Sequence, residues 1–141
     1  MKTLSMLFAA ILAAACAHSG GPEASARAQA QAAEDEAGLA AVLSGRIAGP
    51  TQDCVDQVGL GGNTSYGRGV VVFNGRTDDV VYVNRPVAGC PELGSGRALR
   101  TRTTTTRLCR GDIVTVFDPF SGVDLGSCTL GEFTPYRQVP R

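Results

Sequence analysis

The sequence predicts a mainly β fold, a small antiparallel barrel or sandwich of six to seven short strands, preceded by a signal peptide and an alanine-rich tether. Three observations carry that expectation. Past Gly45, β-branched residues, glycine, threonine and arginine replace the alanine, glutamine and glutamate of the preceding stretch. Apolar runs such as Val70-Val71-Val72-Phe73 and Val80-Val81-Tyr82-Val83 recur at short spacing with turn residues between them. Four cysteines follow, with no two close together, which is the pattern of a disulfide framework rather than of a zinc site.

The chain opens on Met1-Lys2, with its only lysine, and an apolar stretch over residues 4–15 that ends in small residues before Cys16. A stretch of twelve residues falls well short of the ~20 that span a bilayer, so it reads as an export signal. Two cleavages are open. A lipoprotein peptidase would cut before Cys16, and an ordinary signal peptidase could use Ala13-Ala14-Ala15 or Ala15-Cys16-Ala17. The expectation is lipidation at Cys16, because it reduces five cysteines to four, and four can pair. Ala17 is not the aspartate that retains such proteins at the inner membrane, so the anchor is expected in the outer membrane, facing the periplasm. The expected organisation is a signal peptide over 1–15, a tether over 16–45 and a β domain over 46–141.

Within the tether, residues 26–43 are alanine-dense, and Leu39, Val42 and Leu43 form an apolar stripe ahead of the stop Ser44-Gly45. A helix of three to four turns and a disordered spacer both fit, since isolated helices of this length are marginal in water. The β domain holds eleven arginines and nine carboxylates, too mild an excess to suggest nucleic-acid binding. It lacks tryptophan, and a unit of this size buries only about 60–65% of its unfolded surface, so covalent staples matter.

Element by element, Val70 to Phe73, the turn dipeptide Asn74-Gly75 and Val80 to Val83 read as a hairpin that is apolar on both faces, hence central. Residues 97–108 are rich in threonine and arginine, with no clear buried face. Residues 112–118 read as a second buried strand, residues 119–122 as a turn, and residues 123–129 as its antiparallel return. Residues 133–136 add a short last strand.

Cys54, Cys90, Cys109 and Cys128 are separated by 35, 18 and 18 residues, so neither paired zinc ligands nor a Cys-x-x-Cys redox motif occurs among them. Two disulfides are expected. Across a turn at 119–122, opposed residue numbers add to about 241. Cys109 and Cys128 then sit about four residues out of register, roughly 13 Å, which disfavours that pair. Closing a barrel favours Cys54–Cys128, with Cys90–Cys109 closing the arginine–threonine excursion.

The only histidine, His18, lies outside the β domain, so a nucleophile–histidine or histidine–metal mechanism there would lack its base or ligand. No cofactor, metal site or catalytic residue is expected. Ser65, Ser95, Ser121 and Ser127 read as turn formers. Asp78-Asp79 reads as a solvated turn, and Gly59-Leu60-Gly61-Gly62-Asn63, without a P-loop lysine, as an ordinary loop. Arg97, Arg100, Arg102, Arg107 and Arg110 crowd a window free of carboxylates. Arg100 and Arg102 are expected on one strand face, suited to an acidic protein, a glycan or a lipid headgroup. The blander role is a charged edge that prevents aggregation. The expected function is therefore a non-enzymatic binding or structural module of the cell envelope. The alternative is a glycosidase-like hydrolase using Asp53 or Asp56 with Asp112 or Glu132 across a cleft.

Leu108-Cys109-Arg110-Gly111-Asp112-Ile113, the run Gly126-Ser127-Cys128-Thr129-Leu130-Gly131-Glu132-Phe133, Tyr82-Val83-Asn84-Arg85-Pro86 and Cys90-Pro91 together resemble a family of small exported proteins of Gram-negative bacteria known only as a domain of unknown function. The resemblance runs over about residues 43–136 and implies an exported location, four paired cysteines and no mechanism. The glycine-rich stretch 59–69, with five glycines, is longer than the family pattern and leaves the start of the second strand open.

Overall fold

The computed structural model describes residues 21–94 and 96–140, so the expectations for residues 1–20, including the signal and Cys16, lie outside the described residues. The fold is mainly β, with one helix and ten strands in antiparallel sheets that form a small sandwich and do not close into a barrel.

Helix α1 (Pro22–Leu43) is longer than the sequence suggests, 22 residues or ~33 Å at 1.5 Å per residue. Proline sits in its first turn, where a missing N–H costs nothing, and Gly45 follows with a φ of 70° as the helix stop. Propensity alone would leave such a helix marginal, and packing supplies the rest. Leu39, Val42 and Leu43 seat on a strand face made by Val70, Val72, Val81 and Val83, with Tyr66 and Tyr136 alongside.

Five strands, in the order β1 (Arg46–Ala48), β10 (Phe133–Gln138), β5 (Val80–Asn84), β4 (Val70–Gly75) and β3 (Leu60–Tyr66), make the larger sheet. Its inner positions Val71, Phe73 and Phe133 meet Leu99, Val114, Val116 and Cys128 from a second sheet. That sheet orders β6 (Ala98–Thr101), β8 (Ile113–Phe117) and β9 (Asp124–Thr129). A two-stranded ribbon, β2 (Cys54–Asp56) with β7 (Arg107–Cys109), closes one end of the core through Val55 and Leu108. The layers are therefore helix, sheet, sheet. This explains why β4 is apolar on both faces: one lies under the helix and the other in the sandwich core.

Several local expectations change. Asn74 and Gly75 lie within β4, Asn74 pairs with Val81, and the chain turns over residues 76–79. The glycine-rich stretch is strand β3, with a register shift between Leu60 and Gly62. Side chains tie this edge strand to the second sheet. Asn63 Nδ2 donates to Leu99 O at 2.9 Å, and Leu99 N–H donates to Asn63 Oδ1 at 2.8 Å. Ser65, a buried strand residue rather than a turn former, places its hydroxyl 2.6 Å from Gly94 O and 2.7 Å from Arg97 O. Ser127 is likewise in a strand, and Ser95 lies outside the described residues.

These ties fix directions. β3 runs antiparallel beside β6, so Tyr66 and the turn into β4 lie at the Arg97 end. Ala98 pairs with Phe117, which puts the β8–β9 turn just past that same end. Helix residues Ala32, Asp35 and Leu39 border Tyr66, Gly67 and Val70, whereas Val42 and Ser44 border Asn74 and Gly75. The exposed first turns of α1, residues 22–31, therefore extend beyond the end that carries the β8–β9 turn.

Both disulfides form with the connectivity opposite to the expected one: Cys54–Cys109 and Cys90–Cys128. The hairpin register is close to that expected, with Val114 opposite Cys128, and the disfavoured Cys109–Cys128 pair does not form. The error lay in assuming barrel closure. Cys54 and Cys109 face each other directly across the β2–β7 ribbon, their Cα atoms 4.0 Å apart. Cys128 points into the core, where the connection after β5 delivers Cys90 at a Cα distance of 5.4 Å.

Candidate functional site

The five clustered arginines part company in space. Arg97 donates to Glu92 O at 3.0 Å. Arg100 lies on β6 and donates to the Asp124 carboxylate at 2.7 Å, with its guanidinium 4.4 Å above the Phe117 ring. Arg102 falls one residue past the end of β6, in an exposed position, so it does not share a strand face with Arg100. Arg107 is exposed on β7. Arg110 donates to Glu132 at 2.9 Å, and Asp53 lies 4.0 Å away. A window without carboxylates in sequence thus receives three of them from elsewhere in the chain. Arg100 covers an aromatic ring, a use of its stem and its charge together.

Carboxylates of the candidate hydrolytic set hold structure as well. Asp56 Oδ1 accepts from Val58 N–H at 3.0 Å and caps the 3-10 turn Gln57–Gly59. Asp112 Oδ2 accepts from Cys109 N–H at 2.7 Å and braces the disulfide strand. Glu132 and Asp53 meet at Arg110, whose cation lies between them. Asp78 and Asp79 occupy the exposed β4–β5 turn as expected, their carbonyls accepting from the side chain and backbone N–H of Gln138. Among the described residues no group of three metal-binding side chains converges.

A surface cavity of 630 Å³ opens between the end of α1, the β4–β5 turn and the C-terminal strand, lined by Ser44, Arg46, Asn74, Thr77, Asp78 and Gln138 among others. Arg46 is its cation, but Nε donates to Val42 O at 3.1 Å, and Nη1 is buried without a partner. The guanidinium therefore caps the helix end, where carbonyl dipoles and Asp78 disfavour a second anion.

The β8–β9 turn has a different character. Asp118 Oδ1 accepts from Phe120 N–H at 2.8 Å and Ser121 N–H at 3.2 Å, while Gly122 N–H donates to Asp118 O at 2.8 Å. The Ser121 and Phe120 N–H groups hold the Asp118 carboxyl below its ordinary value. Phe120 is 95% exposed on this braced turn. Reading Pro119-Phe120-Ser121-Gly122 only as a turn missed it, although an aromatic residue inside a polar turn is itself a signal.

Neither protein-family models, curated proteins nor solved structures yield a match to this chain. What fold and chemistry define is a small sandwich stapled by two disulfides, at home in an oxidising, non-cytoplasmic setting. No helix among the described residues is long and apolar enough to cross a membrane.

Proposed function

We propose that the chain is an exported lipoprotein, anchored through Cys16 to the outer membrane and facing the periplasm, whose sandwich serves as a non-enzymatic binding or structural module of the cell envelope. The observation that carries this is the cysteine count. All four cysteines of the β domain are consumed in two disulfides, which leaves Cys16, directly behind the export signal, for lipid. The engagement of Asp56, Asp112 and Glu132 with backbone and arginine supports a structural rather than a hydrolytic use of those groups. Exposed Arg102 and Arg107 beside the threonine-rich turn suit an acidic protein, a glycan or a lipid headgroup.

Intact-mass analysis of protein extracted from the membrane fraction tests this reading. The expected mature chain begins at an acylated Cys16 and is four mass units lighter than its fully reduced form, two hydrogens for each disulfide. A chain starting at Ala17 or His18 without acyl mass overturns the anchor.

A further inference from the structure

We propose that the β8–β9 turn, residues 119–123, is a membrane-contact device that places the Phe120 ring in the interfacial layer of a lipid bilayer. The inference rests on the anchor at Cys16 proposed above and adds a second point of contact on the same surface.

Single exposed apolar side chains are ordinary on soluble proteins, so exposure of Phe120 alone decides nothing. Its setting does. Asp118 holds the turn through two N–H groups, and Asp118 N–H donates to Val123 O at 3.0 Å, so the ring is presented on a pre-organised support. A preformed turn loses little conformational freedom on contact. Pro119, Phe120, Ser121, Gly122 and Val123 carry no charge, and the flanking carboxylates are occupied, Asp118 by backbone and Asp124 by Arg100. Insertion of these five residues therefore takes no charged side chain of theirs out of water, while an aromatic ring gains from the acyl–headgroup boundary.

Direction supplies the choice of partner. The turn lies at the end of the sandwich past which the first turns of α1 extend, the end that leads back to Cys16. Five residues lie between Cys16 and Pro22, a reach of at most about 20 Å, so the start of the helix stays near any bilayer that holds the anchor. A tilt of the helix then lowers the β8–β9 turn onto that bilayer. Ile113, 70% exposed, lies at the opposite end of β8 from this turn.

The chain contains no tryptophan, so Phe120→Trp installs a single fluorescent reporter. The purified mature protein would be reconstituted in phosphatidylethanolamine–phosphatidylglycerol vesicles, with Ile113→Trp as the matched control. The proposal expects a blue-shifted Phe120→Trp emission, quenched by lipids brominated on the acyl chain and shielded from aqueous acrylamide, with the reverse for Ile113→Trp. Emission from Phe120→Trp that stays water-like and acrylamide-accessible overturns it, as does equal lipid quenching of both reporters. Intact mass of the same preparation separates the two readings. Acylated protein with an unquenched reporter defeats the turn and spares the anchor. Protein without acyl mass, whose Phe120→Trp is still quenched by added vesicles, defeats the anchor and supports the turn. For that unacylated form, Phe120→Ser is expected to weaken vesicle partitioning about tenfold, and an unchanged partition overturns the proposal.

Discussion

Replacing Asn84 with alanine should be among the most damaging single changes outside the cysteines. Asn84 is fully buried at the end of β5, opposite Phe133. Its Oδ1 accepts from Gly131 N–H at 3.0 Å, and its Nδ2 donates to Gly131 O at 2.8 Å and to Glu132 O at 3.3 Å. The side chain thus acts as a length of backbone, pairing with a segment that no strand reaches. Gly131 cannot give way, because a Cβ there would fall on the carbonyl oxygen of Arg85. In Asn84→Ala the Gly131 N–H and C=O are left buried together, at about 1–3 kcal/mol for each unsatisfied group. With the small void added, the expected loss is about 3–5 kcal/mol, a large part of the 5–15 kcal/mol of an ordinary domain. Urea unfolding of the oxidised protein should show the midpoint falling by roughly 2 M at an m-value near 2 kcal/mol/M. Asn84→Asp at neutral pH should not rescue it, since an oxygen would replace the amide donor facing two carbonyls. A loss below about 1 kcal/mol for Asn84→Ala would refute the reasoning and show that water readily satisfies Gly131.

Peptide mapping without reduction should recover Cys54–Cys109 and Cys90–Cys128, and an arginine between each pair of neighbouring cysteines lets trypsin separate all four. The bridges enclose 55 and 38 residues, so the chain-entropy account assigns each about 4 kcal/mol, and a recovered Cys54–Cys128 peptide would overturn the ribbon. Asp118 should titrate below an ordinary aspartate in a carbon-13 NMR pH series, because the Ser121 and Phe120 N–H groups favour its anion. A depressed folded-state value means that its contribution is present above the unfolded value near 3.8 and is lost as pH falls through the lower folded value. The amides of Phe120 and Ser121 should shift in that same window, and an Asp118 that titrates normally would deny the turn its brace.

Much of the fold was legible because its signals are local. The valine runs of β4 and β5, the stop at Ser44-Gly45 and the register of the β8–β9 hairpin each depend on a few adjacent residues and on turn geometry. The stripe Leu39, Val42 and Leu43 fitted a helix face without deciding between helix and spacer, and only the outer valines of β4 and β5 show what covers it. The candidate site was less legible. Arg100 and Arg102 looked like a pair because they are two residues apart, yet β6 ends between them, and Asp124, 24 residues on, claims only the first.

What the sequence by itself determined was the mainly β class, the presence of two disulfides and the segments that alternate or cap in characteristic ways. Spacing alone disfavours a Cys109–Cys128 staple across that hairpin. Only the tertiary structure decided which cysteines meet, which carboxylates neutralise the arginines, and that the glycine-rich stretch before Tyr66 is a strand. The physical reason is that strand order is a long-range choice. Local propensity sets whether a segment extends, but its neighbours are chosen by which faces must be buried together. Cys54 meets Cys109 because β2 and β7 lie side by side over Val55 and Leu108, a juxtaposition of segments more than fifty residues apart that no local pattern contains.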